Sequence, residues 1–89
     1  MIPDATEQMV QAITQKMRET YVQLGKSIIP LLTNTSEDIK TLLELGEVYE
    51  NLGCVQEAIT TYEHARLLNQ ECLPESARMY LESHPDPQP

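Results

Sequence analysis

The side chains best suited to bond making are two cysteines and two histidines, Cys54, His64, Cys72 and His84. A thiolate beside an imidazole can act as a nucleophile with its base, and soft ligands of these types can hold zinc. Their spacing supports neither use. No pair falls at a C-x2-C or H-x3-H interval, and neither cysteine has a histidine within one helical turn. The three glycines, Gly25, Gly46 and Gly53, are dispersed and form no phosphate-cradling loop. Glu44, Glu47 and Glu50 recur every third residue, which on a helix sets them along one side rather than as a convergent acid–base pair. His64, between Glu63 and Ala65, reads as a surface histidine. No catalytic residue, metal or cofactor is expected, and the chain does not read as an enzyme.

The elements that carry these residues follow from apolar periodicity. Val10, Ile13, Met17, Tyr21, Leu24 and Ile28 recur at intervals of three or four, which predicts one long amphipathic helix over 5–29. Pro3 and Asp4 suit its start and Pro30 its stop, while Gly25 weakens its last turn. The segment Leu31-Leu-Thr-Asn-Thr-Ser reads as a linker; Asn34-Thr35-Ser36 is formally a glycosylation sequon, but serves more simply as linker and helix cap. A second helix is expected from about 37 to 52, with Thr35 and Asp38 as a capping box and Gly53 as its stop. A third, over about 55–69, carries Val55, Ala58, Ile59, Tyr62, Ala65 and Leu68 on its inner stripe. A fourth begins near Pro74 and runs to 83, with Leu73, Ala77, Tyr80 and Leu81 on one face. The last six residues, His84-Pro-Asp-Pro-Gln-Pro, cannot continue a helix and read as a disordered tail.

Across the second and third helices, Leu45 and Gly46 are followed by Tyr49, Gly53, Ala58, Tyr62 and Ala65. This alternation of small and large positions resembles one tetratricopeptide repeat (TPR), at about residues 39–72. The resemblance implies a small right-handed array of about four helices containing one helix–turn–helix hairpin, in a single all-α domain over 1–83. It also implies a protein-binding groove lined by the first helix of the hairpin. Carried over by position, the groove residues are Lys40, Leu43, Glu44, Glu47, Glu50 and Asn51. TPR domains that grip acidic C-terminal peptides use a clamp of Lys, Asn and Arg; Glu47 and Glu50 depart from that pattern and point to a basic partner instead.

No second copy of the repeat is present. A shift of about 34 residues, the length of this repeat, carries Gly46 back to Ala12 and Tyr49 back to Gln15, or forward to Tyr80 and Ser83. A lone repeat cannot bury both faces, so its cover must come from the first helix, the last helix or another chain. Val10, Met17 and Leu24, with Leu31 beyond them, also keep a seven-residue spacing that suits helix pairing across a dimer; the alternative is that this stripe is ordinary core.

The 89 residues carry a net charge of −8, and it is unevenly placed. Residues 1–35 hold three acids and three bases, whereas residues 36–89 hold eleven acids and three bases. Such a field repels nucleic acid and anionic membrane and favours a protein or peptide with a basic surface, in a homodimer or a hetero-complex. On the helix surface the glutamate row reads either as an acidic contact face or as a solvated one. No run approaches the ~18 apolar residues of a membrane span, and the N-terminus lacks a signal peptide. Two cysteines are too few to staple a secreted scaffold. An intracellular chain, cytoplasmic or nuclear, with reduced thiols is expected.

Overall fold

The computed structural model of the chain describes residues 5–84. Pro3, Asp4 and the proline-rich residues 85–89 lie outside the described part. The first helix, α1, covers Ala5–Ile28 and runs into a 3-10 turn, Ile29–Leu31, that opens with Pro30 in its first turn. The segment read as linker from Leu31 therefore begins inside a helical turn.

Thr35 starts the central hairpin. Its hydroxyl accepts from the Asp38 backbone N–H at 3.1 Å, satisfying one of the orphan donors of a helix start, and α2 follows over Ser36–Leu52. The reciprocal half of the capping box does not form. Asp38 Oδ2 accepts instead from the backbone N–H (2.8 Å) and the hydroxyl (3.0 Å) of Thr33, two donors where the box offers one. These bonds hold the Asp38 carboxyl below its ordinary range.

At the far end of α2, Gly53 adopts φ 76°, the left-handed region that only glycine enters without steric cost. The Gly53 N–H donates to the Glu50 carbonyl at 3.1 Å, and the Cys54 N–H donates to the Tyr49 carbonyl at 2.9 Å. This paired closure satisfies the last carbonyls and turns the chain into α3, Val55–Leu68. The last helix, α4, covers Glu75–Ser83, with Pro74 as the residue before it rather than its first helical position. No strand is present among the described residues, and the fold is an all-α helical array.

The hairpin lies between the two outer helices and buries one cluster against each. On the α4 side, Ile39, Leu42, Tyr62 and Ala65 pack with Leu73 and Ala77, flanked by Leu43, Tyr80 and Leu81. On the α1 side, Leu45, Tyr49, Cys54 and Ala58 pack with Tyr21, Val22 and Ile28. Two glycines set these distances. A Cβ built on Gly46 would lie 2.5 Å from a ring carbon of Tyr62, and one on Gly25 would lie 2.1 Å from the Tyr49 hydroxyl. Gly25, which propensity alone marks as a weakness in α1, is there to admit Tyr49. The Tyr49 hydroxyl donates to the Tyr21 carbonyl at 2.5 Å.

Arg18 ties α1 to the hairpin a second time, its Nε donating to the Leu52 carbonyl at 2.6 Å at the C-terminal end of α2.

Val55, His84 and His64 lie elsewhere than their pattern suggested. Val55 is exposed; at this end of α3 it is the preceding Cys54 that packs into the α1-side cluster. His84 does not belong to a free tail: it stacks on Tyr80 with ring centroids 4.2 Å apart. His64 is half-buried, and its Nε2 is shielded without a hydrogen-bond partner.

Substituting Gly46 with alanine should destabilise the domain through overpacking by about 1–3 kcal/mol, and leucine should cost at least as much. Urea denaturation followed by circular dichroism measures this; an unchanged midpoint for Gly46→Ala would show that the Tyr62 ring gives way freely.

Candidate protein-interaction surfaces

Two surfaces stand out: an apolar stripe on α1 and an acidic row on α2. On α1, only the C-terminal part meets the body. Gly25 is buried, Tyr21, Val22 and Ile28 are half-buried, and Arg18 reaches Leu52. The N-terminal part projects, and the molecule is correspondingly long, with extents of 52 × 26 × 24 Å. Val10 (55%), Ile13 (53%), Met17 (43%) and Leu24 (42%) are all exposed, as is Met9 (63%). The reading of this stripe as ordinary core is therefore corrected for these residues.

The geometry of the helix explains the exposure. At about 100° per residue, Ile13, Met17 and Leu24 point on average roughly 130° away from the Arg18–Val22–Gly25 face that meets the hairpin. A helix with one narrow contact to the body cannot bury both faces. Tyr21 lies between the two and serves both. Met9 was missed by the periodicity argument, although its position four residues before Ile13 was the available signal.

The acidic row is divided by the packing. Lys40, Glu44, Glu47 and Asn51 are exposed. Leu43 is half-buried against the α4-side cluster, so it is a packing residue rather than an open groove position. Glu50 is half-buried and accepts a hydrogen bond from the Tyr62 hydroxyl. The groove set is thus not a uniform surface: two glutamates face solvent, and the third is committed to the hairpin. Tyr62 meets Tyr80 edge-on, at 6.0 Å between ring centroids. Of the repeat signature, Leu45, Gly46, Tyr49, Ala58, Tyr62 and Ala65 are buried, and Gly53 forms the exposed turn.

Two hollows on the body are shallow. An apolar cleft of about 260 Å³ opens between the end of α1 and α3, walled by Val22, Ile29, Pro30 and Tyr49 and rimmed by Lys26 and Glu57. A hollow on α3 of about 250 Å³ is lined by Ile59, His64 and Leu67. Neither brings together a nucleophile, a base and an orienting group. Burial first, and then the charge of Glu57, pushes the Cys54 thiol above its ordinary value; burial does the same to Cys72. Both thiols remain protonated and poorly nucleophilic at neutral pH. Among the described residues no three His, Cys, Asp or Glu side chains gather as a metal site would require, and no helix is long and apolar enough to cross a membrane.

Compared with known proteins, the chain matches no family model, no curated protein and no solved structure.

The Tyr62–Glu50 pair makes the fold sensitive to alkali. Burial, then the hydrogen bond and charge of Glu50, raise the Tyr62 hydroxyl well above its ordinary value of 10.0. An acid whose folded pKa is raised contributes stability in full below the unfolded pKa and loses it as pH rises toward the folded one. The urea midpoint of the wild-type chain should therefore fall between about pH 9 and pH 11. Tyr62→Phe should show a shallower fall from a lower starting stability, while an identical pH slope would remove Tyr62 from this role.

Proposed function

We propose that the chain is a protein-interaction module, an adaptor or scaffold in which a TPR-like hairpin, covered on both sides by the chain's own helices, holds out an apolar helix face. The observation that carries this reading is the α1 stripe. Five large apolar side chains, Met9, Val10, Ile13, Met17 and Leu24, are each more than two-fifths exposed on one helix, with no described residue covering them. Contiguous exposed apolar surface of this kind marks a contact site far more often than isolated exposed residues do. The geometry of an amphipathic helix lying against a second apolar surface suits it.

The acidic face supplies selection. Glu44 and Glu47 are exposed on α2, and the excess negative charge of the chain lies entirely in residues 36–89. A partner with basic side chains near its docking surface is drawn toward this field, and an acidic one is repelled. Glu50 contributes through the field alone, since its carboxylate is engaged by Tyr62.

A second reading is favoured by the same stripe. A constitutive subunit of a larger assembly would keep that surface covered from the start and would have no separate ligand. An isolated chain that melts cooperatively and stays dispersed supports the module; a molten or aggregating chain supports the subunit.

Affinity capture tests the proposal with three baits: the wild-type chain, a Met9→Glu, Met17→Glu chain and a Glu44→Lys, Glu47→Lys chain. The stripe variant should lose the captured proteins at unchanged helicity, and the charge variant should lose those with basic surfaces. Identical protein sets on all three baits would show that neither surface binds.

A further inference from the structure

We propose that the apolar stripe of α1 pairs antiparallel with the same stripe of a second copy of this chain, in a two-fold symmetric dimer with Met17 on the axis. This inference rests on the stripe being an interaction surface and names its occupant.

The spacing of the stripe is symmetric about Met17. Ile13 and Tyr21 stand four residues to either side of it, and Val10 and Leu24 stand seven to either side. Steps of four and seven residues return to within about 40° of the same helix face, so all five positions share one seam. A two-fold axis requires that whenever one residue meets a second, the second meets the first. Reversing the helix about Met17 does this without adjustment: Val10 meets Leu24 of the second copy, Ile13 meets its Tyr21, and the two methionines meet on the axis. Methionine, unbranched and polarizable, fills such an axial gap readily.

Charge favours the same orientation. Arg18, which this register carries toward Lys16 of the second copy, is held toward the body by the Leu52 carbonyl. The effect comes from the bodies. Each carries the whole acidic excess of its chain, and each attaches to the C-terminal half of α1. Antiparallel pairing sets the two acidic bodies at opposite ends of the seam, whereas parallel pairing would set them side by side. The stretch that forms the contact, within residues 1–35, holds three acids and three bases and is electrically balanced.

From Val10 to Leu24 the seam runs about 21 Å. That places the contact at the low end of specific interfaces, where association is reversible and concentration-dependent.

Sedimentation equilibrium of the full chain from low micromolar to near-millimolar concentration tests the pairing. The wild-type chain should shift from monomer to dimer, and an Ile13→Glu, Met17→Glu chain should remain monomeric with an unchanged helical signal. Orientation is read from two further variants under mild oxidation, with the linked peptides identified by mass spectrometry. Met17→Cys should form a 17–17 disulfide between copies. Val10→Cys should not form a 10–10 link, because those positions lie about 21 Å apart in the antiparallel pair and disulfides need Cα atoms within about 7 Å. A monomer over the whole range, a dimer unaffected by the glutamate substitutions, or a 10–10 link as efficient as the 17–17 link would each overturn the proposal. A chain that stays monomeric while its capture of other proteins still depends on Met9 and Met17 would overturn the self-pairing and leave the interaction-module reading intact.

Discussion

Two helices can lie close enough to bury a tyrosine ring between them only where one of them carries no side chain, and Gly46 is that place. Tyr62 fills the space it leaves and is almost wholly shielded as a result. From there the ring organises the α4 side of the molecule: its hydroxyl fixes Glu50, and its edge meets Tyr80, which in turn stacks on His84. The α1 side repeats the arrangement with the partners exchanged. Gly25 on α1 admits Tyr49 from α2, and the Tyr49 hydroxyl closes on the Tyr21 carbonyl. A chain with no tryptophan and no phenylalanine thus builds its core around tyrosines, and each buried one needs both a gap for its ring and an acceptor for its hydroxyl.

That economy explains why the outer helices are so unequal in their role. α4 is short and spends its apolar residues on the hairpin, where Ala77 is buried and Tyr80 and Leu81 are packed. α1 spends only its C-terminal half. The glycine that lets it approach Tyr49 also narrows its contact to a single face near Gly25, and the apolar residues a third of a turn away are left without a counterpart. Covering one side of the hairpin and presenting an open stripe are therefore two results of the same approach.

Much of this arrangement was legible in the residues themselves. The Leu45–Gly46–Tyr49 series with Ala58, Tyr62 and Ala65 marks a hairpin because small residues opposite large ones have few other uses, and Thr35 and Gly53 carry their capping chemistry in their own side chains or lack of one. What lay beyond the sequence was the destination of each face. Periodicity says that Val10, Ile13 and Met17 share a side of a helix; it says nothing about how far the next helix reaches. The same limit applies to Val55, whose apolar character matches an inner stripe it does not join. Glu50 looked like the third member of a free acidic row because its hydrogen-bond partner, Tyr62, stands on a different helix. Asp38 departed from its expected partner for a more local reason: Thr33 offered two donors in place of one.

The projecting half of α1 also has a consequence for where the molecule is firm. Most side chains from Ala5 to about Met17 are exposed, and a helical stretch of that length is marginal in water when nothing packs against it. The hairpin is capped at both ends and packed on two sides, so it should be the last part to open. Amide exchange along α1 should therefore form a gradient, fast toward Ala5 and slow past Arg18. Whatever settles on the stripe must first quiet that fraying, so part of its contact energy goes into finishing a helix the chain leaves half-supported.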